Sequence, residues 1–184
     1  MKTNKNLRII LIAGVSGLLA TAIANYDRLI PHRWHTYVAT DATFSIDFPS
    51  QTTLDTEPIS SEDGTTIDSL TIFAQPTKYT AYSCTYIDKK YAPESSPQKI
   101  LESARDGSLT KLKGTVISQK NMVIQGFPAL DTQAHARDNM LVDLRLILVK
   151  DRMFMLMTMA SSEENQESKT NQRFFDSFKI LRNQ

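Results

Sequence analysis

ALDTQAHARDNMLVDLRLILVKDRMFMLMTMA, residues 129–160, is the stretch whose alternation decides the fold. Asp131, Gln133, His135 and Arg137 form one polar face of its first part, and Leu141, Asp143, Arg145 and Ile147 the odd face of the next. A period of two marks β-strands. A three-residue loop Arg137-Asp138-Asn139, with Asn139 left-handed, pairs 135 with 141, 133 with 143 and 131 with 145. Gln133 then stands beside Asp143, and Asp131 beside Arg145. A two-residue loop would instead set Asp131 and Gln133 against Leu146 and Leu144, so the polar pattern selects the first register. A turn at Lys150-Asp151 pairs Val149 with Arg152. That register puts Met153, Met155, Met157 and Met159 on the face of Val142, Leu144, Leu146 and Leu148, where a helix has to pack.

Outward from this hairpin pair, the spacing predicts strands over Trp34–Ala39 and Thr43–Phe48, the second alternating as Phe44, Ile46, Phe48 before Pro49. Ser61-Glu62-Asp63-Gly64 reads as a turn, Ile67–Ala74 and Ala81–Ile87 as strands after it, and Thr115–Ile124 as another. Two helices are expected. One runs from Pro97 to Lys113, capped by Ser96 and stopped by Gly114, with Ile100, Leu101, Ala104, Leu109 and Leu112 as its apolar stripe. The other runs from about Glu163 to Phe178, acids first and bases later as a helix dipole favours, with Phe174 and Phe178 sealing it to the sheet. The order predicts an α+β fold, an antiparallel β-sheet flanked by helices.

The chain starts MKTNKNLRIILIAGVSGLLATAIA. Lys2, Lys5 and Arg8 precede an uncharged run of sixteen residues, Ile9–Ala24, that closes on Ala22-Ile23-Ala24, the small-x-small pattern of a peptidase site. A spanning helix needs about 20 apolar residues, so residues 1–24 read as a signal peptide, or else as an uncleaved membrane anchor. Residues 25–33 read as a tether and 34–184 as one domain. The expected location is exported: periplasmic or extracytoplasmic, or anchored in the inner membrane facing outward. If the segment is uncleaved, membrane contact is confined to residues 9–24. Loss of residues 1–24 turns a net charge of +1 into about −2, since three bases and no acid leave. A near-neutral surface argues against nucleic acid as a partner.

Three motifs carry a resemblance: Phe44-Ser45-Ile46-Asp47-Phe48-Pro49, Gly126-Phe127-Pro128-Ala129, and Arg173-Phe174-Phe175-Asp176-Ser177-Phe178-Lys179-Ile180. From Trp34 to the C-terminus the chain resembles the PsbP-like family, named for an extrinsic subunit of the oxygen-evolving complex. The resemblance implies an antiparallel sheet between helices, an α/β/α sandwich. It brings no catalytic residue to carry over.

Several residues invite a chemical reading. Four alternating methionines could bind Cu(I), a soft ion, but their aliphatic neighbours point to a core layer. His32 and His35 lack an acidic or thiol partner at metal-ligand spacing beyond Asp27, so a solvated tether is expected. Cys84 is the sole cysteine and shares a strand face with Tyr82 and Tyr86, which points to a buried, inert thiol. Asp131, Gln133, His135, Asp143 and Arg145 read as the solvated half of a sheet, with a ligand groove as the sharper alternative. No nucleophile turn occurs beyond residue 24, and no catalytic, cofactor or metal site is assigned. The expectation is a non-catalytic accessory or binding module with an envelope protein as partner. The alternative is a periplasmic protein handling a metal or small ligand through the methionines or the Asp131/Gln133/His135/Arg145 face.

Overall fold

The computed structural model describes residues 33–60, 66–91 and 95–181. The expectations for residues 1–32, including His32, and for the turn at 61–64 lie outside the described residues.

Among the described residues, ten strands form two antiparallel sheets. The large sheet contains β3 (Thr53–Ser60), β4 (Thr66–Ala74), β5 (Thr80–Asp88), β6 (Thr115–Ile124), β7 (Phe127–His135), β8 (Leu141–Val149) and β9 (Arg152–Ala160). Their order is β3-β4-β5-β9-β8-β7-β6. The small sheet is β1 (His35–Val38), β2 (Phe44–Phe48) and β10 (Lys179–Ile180), with β2 central. The α-helices among the described residues are α1 (Pro97–Leu112) and α2 (Ser168–Asp176). This is an α+β fold.

The registers argued from polarity are those observed. Asp131 pairs with Arg145, Gln133 with Asp143 and His135 with Leu141. Val149 pairs with Arg152 and Leu148 with Met153. The loop at 137–139 holds Asp138 as well as Asn139 left-handed, at φ 62° and 60°. Asn and Asp tolerate that conformation through their short polar side chains.

One face of the large sheet meets α1, which crosses β7 and β8. Ser96 caps this helix by accepting from the Lys99 N–H, worth about 1 kcal/mol, and Pro97 fills its first turn. Leu101, Leu109 and Leu112 are buried against Val142, Leu144, Leu146, Leu148 and the methionines, with Ile100 and Ala104 at the margin. The left-handed residue that ends α1 is Lys113, φ 51°, and not the expected Gly114. Gly114 serves by its size, since a Cβ there would lie 3.1 Å from Leu109 Cδ2.

The opposite face is closed by the small sheet and α2 together. Phe44, Ile46 and Phe48 of β2, with Phe174, Phe175 and Phe178, cover Ile72, Tyr82, Cys84, Ile147, Phe154 and Leu156. Here three expectations are corrected. The expected second helix begins only at Ser168, after a 3₁₀ turn at Glu163–Asn165, and has no acid in its first turn. It stops at Asp176, so Phe178 docks from beyond the helix and Lys179–Ile180 becomes a strand on β2. The Gln125 side chain fixes that strand. Its amide donates to the Phe178 carbonyl at 2.8 Å and accepts from the Ile180 N–H at 2.9 Å. β3 was not expected, because TLDTEPIS lacks an apolar alternation and carries Pro58. Proline is tolerated there because β3 is an edge strand.

Phe178 is 3% exposed and its ring lies 5.0 Å from that of Phe154. Phe178→Ala should therefore cost about 3–5 kcal/mol in urea unfolding. A loss under about 0.5 kcal/mol, the range of surface substitutions, would mean that the C-terminal segment does not dock there.

Candidate functional site

The strand register builds the polar face from the bottom up. Directly paired on β7 and β8, Asp131 and Arg145 form a two-pronged ion pair, Nε to Oδ1 and Nη2 to Oδ2 at 2.7 Å each. Arg145 is 7% exposed. Its guanidinium lies 4.9 Å from the centre of the Phe175 ring and 3.8 Å from Asp176, both on α2. A guanidinium this buried needs every such partner.

One pair along, the Asp143 carboxylate accepts from Gln133 at 3.0 Å, Asn171 at 3.0 Å, Gln166 at 3.1 Å and Thr158 at 3.4 Å. The Tyr82 hydroxyl donates to Asn171 Oδ1 at 2.9 Å. Burial, then the charges of Glu167 and Asp143, push the Tyr82 phenol well above its ordinary value. The phenol stays neutral and serves as a donor. These bonds make the polar face the seat of α2. Gln133 and His135 stand exposed at its margin.

The methionine face is the core layer. Met153, Met157 and Met159 are buried and Met155 is partly covered, all on the α1 side. Cys84 is fully buried beside Tyr82 and Tyr86, and burial pushes its thiol far above the usual range. A thiol so protonated is a poor nucleophile. His35 opens β1 opposite Phe48. Among the described residues no group of three or more His, Cys, Asp or Glu side chains is placed to hold a metal ion.

Two features escaped the sequence reading. Arg152, in the first position of β9, grips Asp88 through two bonds of 2.6 and 2.7 Å. It also donates to Asp41 at 3.1 Å and Thr43 at 2.8 Å and stacks 4.8 Å over Tyr86. It ties the β1–β2 turn to the large sheet. The one legible signal was its place in register beside Val149, at the close of a tight turn. The other feature is β6, the long edge strand. Residues 115–121 and Val123 are exposed, with Val116, Ile117 and Val123 at 39%, 51% and 70%. A bulge between Val116 and Ser118 breaks its register, which is regular from Ser118 to Ile124.

Among the described residues, two buried side-chain oxygens have no hydrogen-bond partner, Asp55 Oδ2 and Thr132 Oγ1. They lie on β3 and β7, about 24 Å apart across the sheet at the usual strand spacing. They do not converge on one site.

No family model matches this sequence, and no curated protein matches it in sequence. The likeness is in structure. The solution structure of cyanobacterial PsbP (CyanoP) from Synechocystis sp. PCC 6803 matches with a TM-score of 0.54 at 7% identity, over 86% of this chain and 98% of that one. The fold is PsbP-like. The crystal structure of PA94, a protein of unknown function from Pseudomonas aeruginosa, matches at a TM-score of 0.40 and 6% identity, over 72% of this chain and 85% of that one. At such identities the likeness shows the fold alone.

The Arg152 clamp carries a pH dependence. Burial acts to raise the Asp41 carboxyl. The hydrogen bonds from the Thr43 side chain and backbone, with the bond and charge of Arg152, outweigh it and hold the group below its ordinary 3.8. A depressed acid contributes stability that is present above the unfolded-state value and lost as pH falls through the folded one. Asp41→Asn should therefore be less stable than the parent at neutral pH and converge with it in acid, below the carboxylate range. Denaturant unfolding at both pH values reads this, and a constant difference between the two proteins would contradict it.

Proposed function

We propose that the chain is an exported, non-catalytic accessory module that binds a protein of the cell envelope, with β6 as the edge to which an extended segment of that partner adds. The observation that carries this reading is the open edge itself. From Ser118 to Ile124 the outer strand is regular, most of its side chains are exposed, and it offers main-chain donors and acceptors to a further strand. Lys120 is the sole charge on the strand. It discourages indiscriminate edge pairing and favours a partner with an acid opposite.

The non-catalytic reading is supported by the engagement of Asp131, Asp143, Arg145, Tyr82 and Asn171 in seating α2 and of Asp41 and Arg152 in holding the β1–β2 turn. Export is supported by the basic Lys2, Lys5 and Arg8 ahead of the short apolar run Ile9–Ala24. The alternative, handling of a metal or small ligand, has weaker support. Three of its four methionines are buried under α1, and Asp131 and Arg145 hold one another.

Fractionation with N-terminal sequencing should find the mature chain outside the cytoplasm, starting at Asn25 if the signal is cut. Intact Met1 on a soluble cytoplasmic protein would refute export. For binding, a photo-crosslinking side chain at Val123 should give one discrete adduct with an envelope protein, abolished by Ile117→Lys. The same side chain at Leu54, also exposed, on the opposite edge strand, should give none. Identical adducts from both positions, or none from Val123, would remove β6 as the binding edge.

A further inference from the structure

Met155 differs from the three methionines it alternates with. Met153, Met157 and Met159 are 3%, 3% and 4% exposed, whereas Met155 is only partly buried. It lies between Thr85 of β5 and Leu146 of β8, under the middle of α1. There the Ser108 Oγ approaches its sulfur at 3.2 Å while standing 2.8 Å from the Ala104 carbonyl oxygen. A hydroxyl has one proton to donate, and the shorter bond to the helix carbonyl is the stronger claimant. The thioether is a weak acceptor, so its lone pair remains available at the seam between helix and sheet.

We propose that Met155 is a site of reversible oxidation by peroxide, with Ser108 as the hydroxyl that receives the new sulfoxide oxygen. In the step, the sulfur lone pair attacks one oxygen of hydrogen peroxide. The S–O bond forms as the O–O bond breaks, and the departing hydroxide takes up the remaining proton to leave as water. The sulfur is oxidised by two electrons and the peroxide is reduced by two.

The sulfoxide oxygen is a much stronger acceptor than the thioether was. The Ser108 hydroxyl then rotates from the Ala104 carbonyl to that oxygen, which satisfies a polar group created at the edge of an apolar layer. The Ala104 carbonyl keeps its place in the α1 backbone. The other three sulfurs lack this arrangement. Peroxide reaches them only when α1 leaves the sheet, and an oxygen added there would be buried among Leu101, Leu144 and Leu148. Met155 therefore absorbs oxidant without loss of the fold, and a methionine sulfoxide reductase restores it. This inference stands apart from the binding reading, since it concerns the α1 face and not β6.

The test uses the full chain with Met122→Leu, which removes a second partly buried methionine on β6. Limited hydrogen peroxide followed by peptide mass mapping should show Met155 gaining one oxygen about ten-fold or more faster than Met153, Met157 or Met159, because those wait on local opening. Met155→Leu should abolish the fast phase. Ser108→Ala should fold normally, but oxidation at Met155 should lower its urea midpoint more than it lowers that of the Ser108 protein. A common oxidation rate at all four methionines would overturn the proposal. So would an oxidation penalty that is the same with and without the Ser108 hydroxyl.

Discussion

The ring of Phe154 on β9 meets Phe44 from β2 and Phe178 from the C-terminal segment, each at 5.0 Å between ring centres. The other elements depend on this three-way contact. A sheet that is apolar on both faces cannot stand with one face wet. One face has a helix inserted between β5 and β6 to cover it. The other is closed by pieces from both ends of the described chain, the β1–β2 hairpin and residues 168–181, which must meet over the sheet and hold one another. Edge-to-face ring packing gives that meeting direction as well as area. The β2–β10 pairing, the Gln125 side chain and the Arg152 clamp then fix it at its rim.

Polar residues on this same face do related work. Asp143 and Arg145 would disturb an apolar layer if left alone, and each is answered from α2, by Asn171 in one case and by Phe175 and Asp176 in the other. The polar face thus gives α2 one seat and one orientation. A short helix with no acid in its first turn has little intrinsic stability. It holds its place through tertiary contacts.

The large-sheet hairpins were legible because polarity alone distinguished one register from the next: Asp131 against Arg145 is plausible, and Asp131 against Leu146 is not. The methionine layer followed from the same count. The β3 strand was hidden because an edge strand needs neither an apolar alternation nor a full set of N–H donors, so it can carry Pro58. The end of α2 was misplaced because Phe174 and Phe178 share a helical spacing that also fits a helix followed by an extended turn. Arg152 and Gln125 act across distances in sequence that no local pattern reports. Their side chains bridge elements that become neighbours only when both faces of the sheet are closed.

The central claim is that α2, β10 and the β1–β2 hairpin close the second face as one cooperative cover. Native-state hydrogen exchange tests it most directly. The amides of Phe44–Phe48, those of residues 171–176 and those of Lys179–Ile180 should exchange through a single opening with one free energy and one denaturant dependence. If the α2 and β10 amides exchange freely while Phe44–Phe48 keep the protection of the large sheet, the cover is not a unit and the account is wrong.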